Sequence, residues 1–195
     1  MKSSAASLSI DRLRADGEAF MQEISREYYL AHSGQKATAE LQPIYARHAA
    51  ILGPDALALT LDAFRSATED TEERRSARLL LDWQAESQSA RQLAALDERE
   101  IAWEASAVVT LADGRQIEYE ALSIEIANNP QPAERHAMET AYGQLVEREL
   151  APIRRERFQR ERDITEELGL ASNYNATFEL LSGISLAGLK EECAR

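Results

Sequence analysis

Residues 71–106 read TEERRSARLLLDWQAESQSARQLAALDEREIAWEAS, a run of 36 positions without a single Gly or Pro. Asp70-Thr71-Glu72-Glu73 opens it as a capping-box-like start, with Asp70 as the acid at the N-cap and a Glu three residues on. The run predicts one helix over about 71–106, roughly 54 Å long at about 1.5 Å per residue. A helix that long should cross the whole molecule, and it sets the fold class as mainly α. Outward from its end the chemistry changes. Ala107-Val108-Val109-Thr110-Leu111-Ala112 holds two of the three valines in the chain, and Asp113-Gly114 then precedes Arg115-Gln116-Ile117-Glu118-Tyr119. Asp-Gly between two β-prone runs predicts a hairpin at about 107–120 with a two-residue loop. That loop would pair Ala112 with Arg115, Thr110 with Ile117 and Val108 with Tyr119, placing the last four on one packed face. A lone hairpin is marginal in water, so it should lean on helices.

The flanks read the same way. Ile10, Leu13, Phe20, Met21, Ile24, Tyr28 and Ala31 recur at three- and four-residue steps, predicting a helix over 9–33 that stops at Ser33-Gly34. A second helix is expected over about 38–52 and a third over about 55–68, separated by Gly53-Pro54-Asp55. Leu122, Ile124 and Ile126 fit a strand or one face of a helix, and periodicity leaves 120–128 open. Asn128-Asn129-Pro130-Gln131-Pro132 is a break, followed by a second long helix over about 132–168, bent where Pro152 removes a backbone bond. Gly169 should cap it. A short helix over about 173–182 ends at Ser182-Gly183, and Ser185 caps a last one from Leu186. The expected architecture is an elongated helical bundle with two long helices and one small hairpin, a single helical domain over 1–195.

Composition agrees and excludes some functions. The 195 residues carry 34 acidic and 22 basic side chains, a net charge of −12, and the sequence pI is about 4.8. Alanine occurs 33 times, against 8 Gly, 5 Pro and 3 Val, which favours helix over sheet. A chain this acidic is a poor general nucleic-acid binder, because counterion release needs a basic face. Cys193 is the only thiol, so an intrachain disulfide and a cysteine zinc site are both ruled out. No apolar run from Lys2 onward has the length of a signal peptide, and none elsewhere reaches a membrane span. The expected location is cytoplasmic.

The search for catalytic constellations yields no site residue: no catalytic, cofactor-binding or metal-ligating position is assigned. His32, His48 and His136 are too far apart for a helical two-His zinc motif, and no Glu precedes a His by three residues. No Gly-rich phosphate loop and no Gly-x-Ser-x-Gly elbow occurs. His48, on the stripe of Ile44 and Ile51, reads as a ring hydrogen-bonded within the packing. His136 with Glu139 reads as a surface pair, and His32 as a helix-end residue favoured by the dipole. Trp83 and Trp103 read as packing anchors. The basic run from Arg154 to Arg162 reads as a solvated helix face with four-residue ion pairs such as Arg157–Glu161, in preference to a phosphate site.

Three stretches together resemble the N-terminal helical region of zinc metallopeptidases of the oligoendopeptidase F and thimet oligopeptidase type. They are Glu27-Tyr28-Tyr29-Leu30-Ala31-His32-Ser33-Gly34 with Leu41 to His48; Asn128-Asn129-Pro130 leading to Glu134-Arg135; and Arg162 to Leu170 with Asn173-Tyr174 and Leu181-Ser182-Gly183-Ile184. The resemblance spans about 25–190. It implies helices that wall a substrate channel, carry a small β element and precede the catalytic part. The family's His-Glu-x-x-His helix and downstream Glu have no counterpart here. Zinc is therefore implied only for a catalytic part outside these residues, and this chain alone is expected to bind no zinc tightly and cleave no peptide. The implied partners are a peptide substrate, or a catalytic domain or partner protein. The alternative is a stand-alone helical interaction or scaffold module. Leu186, Leu189 and Cys193 form an apolar stripe where the sequence stops, so the native polypeptide is expected to continue and the isolated chain to self-associate.

Overall fold

The computed structural model describes residues 8–195. The stretch from Lys2 read for a leader lies partly outside them. The fold is mainly α with one small hairpin, as the sequence predicts. In chain order the elements are α1 Ile10–His32, α2 Leu41–Arg47, α3 Pro54–Ser66, α4 Glu72–Glu104, β1 Val108–Thr110 and β2 Gln116–Glu118. A 3-10 turn Tyr119–Ala121 then leads into α5 Leu122–Asn128, α6 Pro132–Leu145, a π-turn Val146–Leu150, α7 Ala151–Glu167, α8 Tyr174–Ser182 and α9 Leu186–Cys193. The two long helices are thus α4 and the continuous 132–167 run.

Four local expectations are corrected and one open segment is assigned. The N-cap of α4 is Thr71 rather than Asp70: the Thr71 hydroxyl oxygen accepts from the Arg74 N–H at 3.1 Å. Asp70 instead takes a left-handed turn, with φ 60. The second helix ends early, because the chain after Arg47 tightens into three-residue turns, Ile51 N–H to His48 O and Leu52 N–H to Ala49 O. The hairpin register is Val108 with Glu118, Val109 with Ile117 and Thr110 with Gln116. Its loop has three residues, because the Leu111 N–H donates to Arg115 O and Gly114, at φ 87, adds a bulge position. A one-residue slip swaps the faces, so Val109 and Leu111 are buried while Val108 is exposed. Residues 122–128, left open by their pattern, are helical. At Pro152 the response is the π-turn: Ala151 donates to Val146 O, five residues back, which widens the helix just before the missing N–H.

Packing divides the chain into two compact units, and α1, α4 and α7 each contribute to both. The first comprises the described residues up to Glu23, Gln42–Leu93 and Arg160–Arg195. Its core joins Leu57, Phe64, Ala77, Leu81, Ala85 and Leu170. Phe20 packs against Tyr45, His48 and Trp83, and Gly17 lets the Trp83 ring approach, since a Cβ there would lie 2.8 Å from Cη2. The second unit, Ile24–Leu41 and Ala94–Gln159, closes the hairpin on α5 and α6 through Val109, Leu111, Leu122, Met138 and Leu145.

Candidate functional site

The second unit contains a polar cavity of about 240 Å³ lined by Tyr28, His32, Asp97, Glu100, Ile101, Glu104 and Arg157. Helical spacing builds it. Tyr28 and His32 lie one turn apart on α1, and their rings stack at 6.0 Å with 7° between planes. Asp97, Glu100, Ile101 and Glu104 sit at three- and four-residue steps on α4 and so share one face. Arg154 and Arg157, three apart on α7, answer that face. Arg157 Nε donates to Asp97 Oδ1 at 2.7 Å. Arg154 Nε donates to Glu100 Oε1 at 2.7 Å and its Nη2 to Glu104 Oε1 at 3.2 Å.

Partial burial shapes the electrostatics. Burial, with Asp97 adding to it, pushes the Tyr28 phenol up to about 12. It therefore stays a neutral hydrogen-bond donor at physiological pH. Burial and the neighbouring Glu100 raise the Glu104 carboxyl, against the pull of Arg154. Beside the cavity, burial alone would raise Glu27, but Lys36 Nζ at 2.8 Å and the Glu40 N–H at 2.8 Å outweigh it and hold the carboxylate below its usual range. The result is a charged recess whose acids are already matched to arginines. It can orient charged or hydrogen-bonding groups. Among the described residues no cluster of His, Cys, Asp and Glu has the geometry to hold a metal ion.

His48 Nε2 lies 3.1 Å from Glu23 Oε1 with its ring edge-on to Phe20, and Arg47 donates to the same carboxylate at 2.6 Å. Trp103 Nε1 donates to Glu149 Oε2 at 3.0 Å. His136 and Cys193 are exposed. The basic run reaches further than its own helix: besides the two arginines above, Arg160 donates to Gln92 at 2.8 Å and to Glu167 at 2.9 Å. No helix among the described residues is long and apolar enough to cross a membrane. Sequence reasoning did not single out Asp97, Glu100 and Glu104, although their spacing and that of Arg154 and Arg157 were a readable signal once both segments were taken as helices.

The three stretches that carry the family resemblance are placed at helix ends and turns. Glu27 holds Lys36 and the Glu40 N–H. The Asn129 side chain accepts from the Gln131 N–H at 2.9 Å and donates to Glu134 at 2.9 Å, and Arg135 donates to the Asn129 carbonyl at 2.9 Å. Asn173 caps α8 by accepting from the Ala176 N–H at 3.0 Å. Leu181 O accepts from Arg78 at 2.7 Å, and Gly183 ends α8 at φ 70. No protein-family model matches the chain, and neither a curated protein nor a solved structure matches it.

Proposed function

We propose that this chain is the non-catalytic helical wall of a peptide-binding chamber in a cytoplasmic protein of the zinc oligopeptidase type, inactive until joined by a zinc-bearing part. One observation carries the reading. Each of the three resembling stretches supplies a residue that caps a helix or closes a turn, Glu27, Arg135 and Asn173, which suits a wall segment. The Tyr28–Glu104 recess supports it as a place where a charged backbone terminus or side chain could be oriented. The decisive test has two parts. Translation of the genomic frame downstream should yield a His-Glu-x-x-His helix; a stop with no such segment would overturn the reading. Residues 1–195 alone should not turn over a quenched fluorogenic peptide, and chelator-sensitive turnover by that chain would equally sink it.

A second reading, a helical interaction module, is favoured by the exposure of Ile184 at 48% and Leu189 at 47%. Sedimentation over a concentration series separates the two. Self-association abolished by Leu189→Glu supports an interaction face, and a monomer throughout removes this second reading.

A further inference from the structure

Where the hairpin leaves β2 and meets α5 and α6, a second cavity of about 430 Å³ opens in the same unit, lined by Tyr119, Glu120, Leu122, Ile126, Glu139 and Tyr142 among others. Its wall is aromatic. The Tyr119 and Tyr142 rings stack with centroids 5.6 Å apart and 18° between planes, and their hydroxyls lie 3.5 Å apart. Trp103 meets Tyr119 edge-on at 4.9 Å and is itself fixed by its bond to Glu149. Leu122, 1% exposed, makes an apolar floor.

Its rim is acidic and unanswered. Glu120 and Glu139 face no ion pair or hydrogen-bond donor among the described residues, in a unit whose other carboxylates repeatedly find an arginine. Arg154 is the cation closest in influence to Tyr119, and it is committed to Glu100 and Glu104. Aromatic faces attract cations through the ring quadrupole, and unpaired carboxylates add a Coulombic term that a chain of net charge −12 reinforces at long range. An apolar floor suits an alkyl stem.

We propose that this cavity takes the basic side chain, arginine or lysine, of an extended peptide: the stem lies on Leu122 and Ile126, the head over the tyrosines and between Glu120 and Glu139. The peptide rests on the function proposed above; the cation rests on the cavity alone. The test uses the whole chain and backbone NMR shifts at Tyr119, Ile126 and Tyr142. Acetyl-Ala-Arg-Ala-amide should bind about tenfold more tightly than the same peptide with citrulline, which keeps the shape and loses the charge, because a desolvated cation–π contact with ionic help is of that order. The double variant Glu120→Gln/Glu139→Gln should erase the difference. Tyr142→Leu should weaken the arginine peptide severalfold, while Tyr142→Phe, which keeps the ring, should bind as the parent does. Equal binding of the two peptides, shifts confined to other residues, or no binding overturns the proposal. Agmatine binding as tightly as the arginine peptide would overturn the peptide and leave the cation site. Arginine binding without a zinc-bearing segment in the gene would refute the wall reading and leave this inference standing.

Discussion

The two units solve one problem with opposite chemistry. Helix and turn ends leave orphan backbone groups that must be satisfied, and α4 supplies partners in both units. In the first unit its side chains are donors aimed at carbonyls. Gln84 bonds Ile51 O at 2.8 Å and Gln88 bonds Gly53 O at 3.1 Å, Arg78 bonds Leu181 O, and Arg74 bonds Phe64 O. In the second unit the Leu41 and Glu40 N–H groups are answered by carboxylates. Glu98 accepts from the Leu41 N–H at 2.7 Å, and Glu27 on α1 accepts from that of Glu40. Amides do not titrate and guanidinium groups stay charged throughout the acid range, whereas carboxylates titrate near about 4. The difference teaches that one helix can hold two neighbourhoods whose responses to acid diverge.

The largest break should come from the neutral, apolar side of that contrast. Leu81→Ala, at a fully buried position in the first core, should cost about 3 kcal/mol by urea denaturation, from lost transfer energy plus a cavity. Hydrogen exchange should show the loss at amides of α3 and of α4 near residue 81. Next, Glu27→Gln should cost about 2 kcal/mol, since it weakens a charge-assisted pair of bonds at a buried site. The Glu40 amide should lose protection while those of Ile51 and Leu52 keep theirs.

Acid sharpens the same comparison. Glu27 is depressed in the fold, so its stabilisation is full above the ordinary glutamate value of about 4.3 and is lost as pH falls through the lower folded value. Asp82 and Glu86 in the first unit go the other way: burial raises both, Glu86 with help from Asp82. Their contribution is present at low pH and is lost as pH rises through the folded values. Protection factors followed from neutrality to strong acid should therefore drop at Glu40 first, with the α4 amides around residues 82–86 holding or gaining. A uniform loss would break the contrast.

Smaller effects follow. Gly114→Ala should cost about 1 kcal/mol, because φ 87 suits few residues with a Cβ, and it should loosen only the hairpin and the Met138 side of its core. Arg157→Lys, which keeps the charge and loses the guanidinium geometry on Asp97, should cost about 0.5 kcal/mol. Thermal melts of the two variants give both numbers.

Much of the fold was legible because its signals are local. The Gly- and Pro-free run, Ser33-Gly34, Asn173 and Ser185 each announce a helix boundary within a few residues, and each boundary is observed to within three residues. What failed was decided by partners elsewhere or by one residue of phase. Thr71 and Asp70 are equally good caps on paper, and only the backbone at Asp70 chooses. Asp113-Gly114 is the same dipeptide in a two-residue and a three-residue loop, and burial of Val109 and Leu111 on α5 and α6 selects the latter. The recess around Tyr28 was hidden because its acids and its arginines lie 50 or more residues apart in sequence.

The π-turn at Val146–Leu150 has an evolutionary meaning beyond its geometry. Each residue of an α-helix advances the side chains by about 100°, so in a regular helix Leu150 would point well away from the face of Met138 and Leu145. All three are buried, and the wide turn is where the helix takes up one extra residue. It marks the place where a codon could have been inserted without rotating everything after it. A chain lacking one residue between 146 and 149 should then keep the arginines of α7 on their carboxylates. The same deletion a turn or more into α7 should throw them off, and lineages of this sequence would be free to vary in length at the first position and not at the second.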